Sequence, residues 1–136
     1  MTDLVVDTSA LMAVLLGEAD AQPFADALSG ASNLRMSAPT WLEAALVATA
    51  RSAGDGYREL TGFLDFVGIE IVPVDQALVE IAYAGWLRYG KGRHPAGLNY
   101  GDCFAYALAK QRGDPLLFKG GDFALTDIPS AIPAQP

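Results

Sequence analysis

Four carboxylates from four separate stretches, Asp7, Glu43, Asp102 and Asp122, each stand where a strand should end or in the first turns of a helix. An acid in an apolar setting is costly to hold unless something offsets its charge. If the four converge, the natural offset is a divalent cation with oxygen ligands, Mg²⁺ or Mn²⁺. The chemistry such a centre points to is metal-dependent reaction at phosphate esters.

Taken singly, each acid admits a plainer role. Asp7 closes the apolar run Leu4-Val5-Val6 and precedes Thr8-Ser9, so it reads equally as a helix cap or as a carboxylate oriented by free helix N–H groups. Glu43 has Pro39, Thr40, Leu46 and Val47 at helical spacing and no basic residue among them. A surface glutamate usually has polar company there, which aims Glu43 at the sheet or a cleft. Asp102 follows Asn99 at capping-box spacing and opens a helix that is apolar nearly all round; cap and ligand both remain open. Asp122 follows Gly120-Gly121, a pair that lets the backbone turn tightly beside a ligand. Thr126 and Asp127, just beyond, could add a hydroxyl or a further carboxylate.

The elements that must position these acids alternate between short β-branched runs and amphipathic stretches. Strands are expected at Leu4 to Asp7, Leu34 to Met36, Ile69 to Val74 and Leu116 to Phe118. Helices are expected from Ala10 to Leu16 with Thr8-Ser9 as cap, from Asp20 to Leu28, and from Ser37 to Ala53 with Pro39 in the first turn. Further helices run from Tyr57 to Val67, from a cap at Asp75 through Trp86, and from a cap at Asn99 to Gly113. The pattern predicts an α/β/α sandwich around a mostly parallel sheet, in one domain covering residues 1–136. Sites in such sheets form at the carboxyl ends of strands, where Asp7 falls.

Nine Lys and Arg against 16 Asp and Glu give a formal charge of −7, which argues against a general nucleic-acid binder. It leaves room for a nuclease whose metals neutralise its own acids, and it favours a basic partner segment. The basic residues concentrate elsewhere: Arg88, Lys91, Arg93 and the sole histidine, His94, lie between the Trp86 helix and Asp102, interleaved with Tyr89 and Tyr100. Beside an acidic pocket, such a loop could grip a phosphate backbone. Cys103 is the only cysteine and sits in a helical pattern as a small buried hydrophobe. No signal-type block opens the chain, no apolar run nears a membrane span, and the tail carries Pro129, Pro133 and Pro136. A cytoplasmic protein without a membrane partner is expected.

With these positions in place, the chain resembles the PIN-domain ribonucleases, and most closely the toxins of bacterial VapBC toxin–antitoxin pairs. The resemblance is carried by the segments 4–11 (Leu-Val-Val-Asp-Thr-Ser-Ala-Leu), 37–43 (Ser-Ala-Pro-Thr-Trp-Leu-Glu), 98–109 around Asp102, and 117–128 around Asp122. Each motif alone is weak; all of them in order, over nearly the whole length, are strong. The family's acidic quartet falls on Asp7, Glu43, Asp102 and Asp122, with Thr8 or Ser9 as an auxiliary hydroxyl. Many relatives have Asn or Asp where this chain has Gly121, which removes one polar group from the last turn.

The resemblance implies endonucleolytic cleavage of RNA. One or two Mg²⁺ or Mn²⁺ ions would activate a water for in-line attack, leaving a 5′-phosphate and a 3′-hydroxyl. It also implies a VapB-type antitoxin that covers the cleft, and a homodimer with contacts around the second and third helices. Two rivals stand beside it. A receiver-like phosphoacceptor could use Lys119 and Thr126, but it wants paired acids after the first strand, and Asp7-Thr8 offers one. A catalytically silent binding module would have no need of the quartet. A histidine-based ribonuclease is disfavoured because His94 is alone.

Overall fold

The computed structural model describes residues 2–132, so Pro133 and Pro136 of the tail lie outside the described residues. Four strands, β1 (Leu4–Val6), β2 (Leu34–Ser37), β3 (Ile69–Val72) and β4 (Leu116–Leu117), form one sheet in the order β3-β2-β1-β4. Every pairing among them is parallel, with Leu4 opposite Leu34, Val5 opposite Leu116 and Met36 opposite Ile71.

Six helices cover the two faces: α1 (Thr8–Leu15), α2 (Gln22–Gly30), α3 (Ala38–Arg51), α4 (Gly56–Val67), α5 (Gln76–Tyr89) and α6 (Tyr100–Arg112). Alternation along β1 feeds two cores, as successive strand side chains must. Leu4 and Val6 pack with Leu11, Met36, Ala44 and Leu60 under α1 to α4. Val5 packs with Leu78, Leu98 and Leu108 under α5 and α6. The expected sandwich is the fold observed. Among the described residues no helix is long and apolar enough to cross a membrane.

The differences from expectation lie at element ends. Asp7, rather than Thr8-Ser9, caps α1, so that helix begins at Thr8. Helix α2 starts at Gln22, with Pro23 in its first turn, and α3 stops at Arg51. Strand β3 ends at Val72, because Pro73 has no N–H to give the ladder. Strand β4 stops at Leu117, short of Phe118, and a single 3₁₀ turn (Phe123–Leu125) follows it. Asp75 and Asn99 cap α5 and α6 as expected, and Gly113 ends α6 in the left-handed region. Residues Cys103 to Ala109 are all buried, which fits an α6 that is apolar nearly all round.

Candidate active-site cleft

Asp7 leaves the sheet at the carboxyl end of β1, where its N–H donates to the Leu117 carbonyl at 2.9 Å. Its carboxylate then turns back to cap α1. Oδ2 accepts from the Ser9 N–H at 3.1 Å and from the Ser9 hydroxyl at 2.6 Å. The Ser9 oxygen in turn accepts from the Lys119 N–H at 2.9 Å, which ties the end of β4 to the same acid. Asp7 is only 5% exposed. Burial pushes its carboxyl up to about 6; the Ser9 hydrogen bonds oppose that rise, and the nearby charges of Asp102 and Glu43 add to it.

Glu43 is brought to the same place by the cap of α3. The Ser37 hydroxyl accepts from the Thr40 N–H at 3.3 Å, and the Thr8 hydroxyl donates to the Thr40 carbonyl at 3.3 Å. The starts of α1 and α3 are thereby braced together, and Glu43 lies one turn further on. Its carboxylate rests against Gly101: a Cβ built there would stand 2.6 Å from Oε2. Only glycine admits this approach, so the second residue of α6 gives the acid its seat.

Asp102 serves α6 first. Its Oδ2 accepts from the Asn99 N–H at 3.0 Å, while Asn99 Oδ1 accepts from the Asp102 N–H at 2.8 Å, a complete capping box. Among the described residues no hydrogen bond engages Oδ1. Burial raises the Asp102 carboxyl above its ordinary range, the Asn99 bond opposes the rise, and the charges of Glu43 and Asp122 increase it. Asp122 is exposed at the start of the 3₁₀ turn and does not line the cleft. Its charge reaches Asp102, so it belongs to the rim.

Asp7, Glu43 and Asp102 line one cleft of about 480 Å³ at the carboxyl edge of the sheet, with Thr8, Ser9, Met12, Val47 and Gly120 in its walls. Among the described residues no ion pair reaches Asp7, Glu43, Asp102 or Asp122. A buried Asp7 beside half-buried Glu43 and Asp102, mutually repelling and paired with no cation among the described residues, is a donor set suited to a hard divalent ion. They are not closed into a cage: among the described residues no three His, Cys, Asp or Glu side chains meet tightly enough to hold a metal.

The other expected residues are placed less centrally. Thr126 spends its hydroxyl locally, donating to the Phe123 carbonyl at 2.7 Å and accepting from the Ile128 N–H at 3.3 Å. It does not line the cleft. Arg88 stacks 4.9 Å over the Tyr89 ring and pairs with Asp127 at 3.7 Å. Arg93 lies 5.0 Å over Trp86 and donates to the Leu87 carbonyl at 3.0 Å. His94 Nδ1 accepts from the Ala96 N–H at 3.0 Å, and its ring meets Tyr89 edge-on. Lys91 is exposed. None of these four lines the cleft. Two cations do: Lys119, which the receiver-like reading used and which is bound to Asp20 at 2.9 Å and Glu18 at 3.3 Å, and Arg51, which was not expected there. Arg51 could have been found from spacing, since Glu43, Val47 and Arg51 recur every four residues along one helix face.

Comparisons with known proteins bear on the family and the fold. The PIN domain family model matches residues 4–129. The chain is 48% identical over 125 residues to "Ribonuclease VapC" of Mycolicibacterium smegmatis, covering 92% of this chain and 97% of that one. It is 50% identical over 125 residues to "Ribonuclease VapC30" of Mycobacterium tuberculosis, covering 92% and 95%. In fold it is similar to the crystal structure of M. tuberculosis VapC20, described as a sarcin–ricin loop cleaving toxin, with a TM-score of 0.78 at 17% identity over 96% and 99% of the two chains. A capped strand-end acid, an α3 glutamate seated on a glycine and a capping-box aspartate thus occur within a match that spans nearly all of the described chain, and this chain belongs to the PIN-domain family, among the VapC ribonuclease toxins of VapBC toxin–antitoxin systems.

Proposed function

We propose that this chain is a metal-dependent endoribonuclease toxin, held in check by a cognate VapB-type antitoxin. The observation that carries the reading is the meeting of Asp7, Glu43 and Asp102 in one cleft, with no cation among the described residues bonded to any of them. Asp7, Glu43 and Asp102 would hold Mg²⁺ or Mn²⁺, directly or through water, with Asp122 supporting from the rim. Mg²⁺ characteristically retains several waters and takes one or two carboxylates, which suits acids that line a cleft without forming a cage. The ion, when bound, supplies charge stabilisation on the attacked phosphate and a lowered pKa for water.

The chain's own residues do the rest. Ser9 fixes the orientation of Asp7, with Lys119 N–H fixing Ser9 in turn. Thr8 braces α1 against α3 and so sets the separation of Asp7 and Glu43. Asn99 holds Asp102 in one rotamer. A phosphodiester entering this cleft meets pre-positioned acids that need little reorganisation, the condition under which such groups contribute most. The receiver-like alternative loses its lysine, because Lys119 Nζ is bound to Asp20 and Glu18.

The antitoxin is expected to bring positive charge to the cleft, which the net charge of −7 favours. For the homodimer, α3 offers exposed Leu42 and Leu46. The test is direct. Purified protein should cut RNA with Mg²⁺ and stop with EDTA. Expression without the adjacent operon neighbour should arrest growth, and Asp102→Asn should abolish the arrest. Cleavage undiminished in EDTA, or arrest undiminished in Asp102→Asn, refutes the reading.

A further inference from the structure

We infer that Arg51 is a phosphate clamp: it grips an RNA phosphate flanking the one that is cut, and so sets which linkage lies over the acids. The inference rests on the nuclease reading above and adds to it the residue that fixes register.

Of the chain's nine Lys and Arg, the cleft is lined by Arg51 and Lys119. Lys119 is already engaged by two carboxylates, Asp20 and Glu18. Arg51 is exposed, and among the described residues neither an ion pair nor a side-chain hydrogen bond claims it. Its position at the last turn of α3 also suits the helix dipole. The dipole, however, favours a cation on any face of that turn, and Arg51 is on the face that carries Glu43 and Val47 into the cleft. The loop cations are placed differently: Arg88 and Arg93 are held by Asp127, Tyr89, Trp86 and the Leu87 carbonyl, and Lys91, though exposed, does not line the cleft.

A cleft lined by Asp7, Glu18, Glu43 and Asp102 repels a polyanion, so a strand needs a fixed cation at the edge to be drawn across it. A guanidinium suits the task because its planar fork matches two phosphate oxygens. Eight residues of helix put the Arg51 backbone about 12 Å from that of Glu43. The clamp therefore holds a phosphate other than the reacting one, and acts on binding and register rather than on the chemical step.

The experiment uses the full chain and a fluorescein-labelled single-stranded RNA. Anisotropy in EDTA, between about 50 and 200 mM salt, gives affinity and its salt slope; cleavage with Mg²⁺ gives KM and kcat. Arg51→Gln should weaken binding about tenfold and flatten the slope by about 0.7. It should raise KM about tenfold with kcat within about twofold. Arg51→Lys should restore the slope but only part of the affinity. Unchanged affinity, slope and KM in Arg51→Gln overturn the clamp, as does a larger loss in Arg88→Gln or Arg93→Gln. If the wild-type chain neither binds nor cuts RNA, the nuclease reading falls and the clamp with it; if it cuts and Arg51→Gln cuts at the same KM, the clamp alone falls.

Discussion

At the carboxyl end of β1, Asp7 is buried beside two other acids, and among the described residues its carboxylate receives hydrogen bonds from Ser9 alone. At the far end of α6, Asp127 receives the Tyr106 hydroxyl at 2.8 Å and Lys110 Nζ at 2.7 Å, with Arg88 at 3.7 Å. Burial acts to raise both carboxyls. At Asp127 the bonds from Lys110 and Tyr106 and the charges of Lys110 and Arg88 outweigh it and leave the group below its ordinary range. At Asp7 nothing does, and the group stands near 6. A chain with only nine Lys and Arg directs two of them to a corner that needs a structural tie, while among the described residues Asp7, Glu43 and Asp102 are paired with none. Unshared negative charge is a cost to the fold, and it is concentrated where an external cation would relieve it.

Asp7→Asn keeps an oxygen for Ser9 and removes the buried charge, and its effect should be the largest. Cleavage of RNA should fall by roughly 10²-fold or more. Metal-free stability at pH 8 should rise, by about 1–3 kcal/mol. The sign follows from the shift: a folded value near 6 above the ordinary 3.8 means that ionised Asp7 costs stability as pH rises through that window. The variant's advantage should therefore vanish near pH 4, which urea unfolding at the two pH values measures. A variant less stable than the parent at pH 8 would contradict the picture of an unrelieved charge.

Gly101→Ala acts on the seat of Glu43. In a helix this exchange normally adds about 1 kcal/mol, but here the new methyl displaces the Glu43 carboxylate. Thermal unfolding should show no loss, while the Mg²⁺ concentration for half-maximal cleavage should rise about tenfold. An unchanged Mg²⁺ requirement would remove Glu43 from the centre.

Asp127→Asn gives the smallest effect, in the opposite sense. The partly exposed pairs it breaks are worth about 1 kcal/mol, and cleavage should be unaltered. Because the Asp127 carboxyl is depressed, its contribution is present above the ordinary aspartate value and is lost as pH falls through the depressed one. Parent and variant should thus converge in acid, as melting temperatures at pH 7 and pH 3 would show.

Much of this was legible in the sequence because it is local. A run of β-branched residues ending in Asp7, the Asn99 to Asp102 spacing and the apolar company of Glu43 all encode positions within a few residues of themselves. The sheet order followed from alternating strands and helices only as far as a parallel sandwich. What was not legible is the choice of partners across long separations. Lys119 bonds to Asp20 across 99 positions, and its N–H meets Ser9 across 110. The loop around Arg93 reads as a free basic patch, yet its guanidinium lies over Trp86. Thr126 looks like a spare hydroxyl until the 3₁₀ turn beside it needs one.

The capping box of α6 has one more consequence. Because Asp102 secures the most deeply packed helix with the same group that faces the cleft, architecture and chemistry cannot drift apart there. A copy of this chain released from any duty to cut should discard Glu43, which nothing structural retains, well before Asp102. An aspartate at that position is accordingly poor testimony of a working enzyme, and a glutamate on α3 is the better witness.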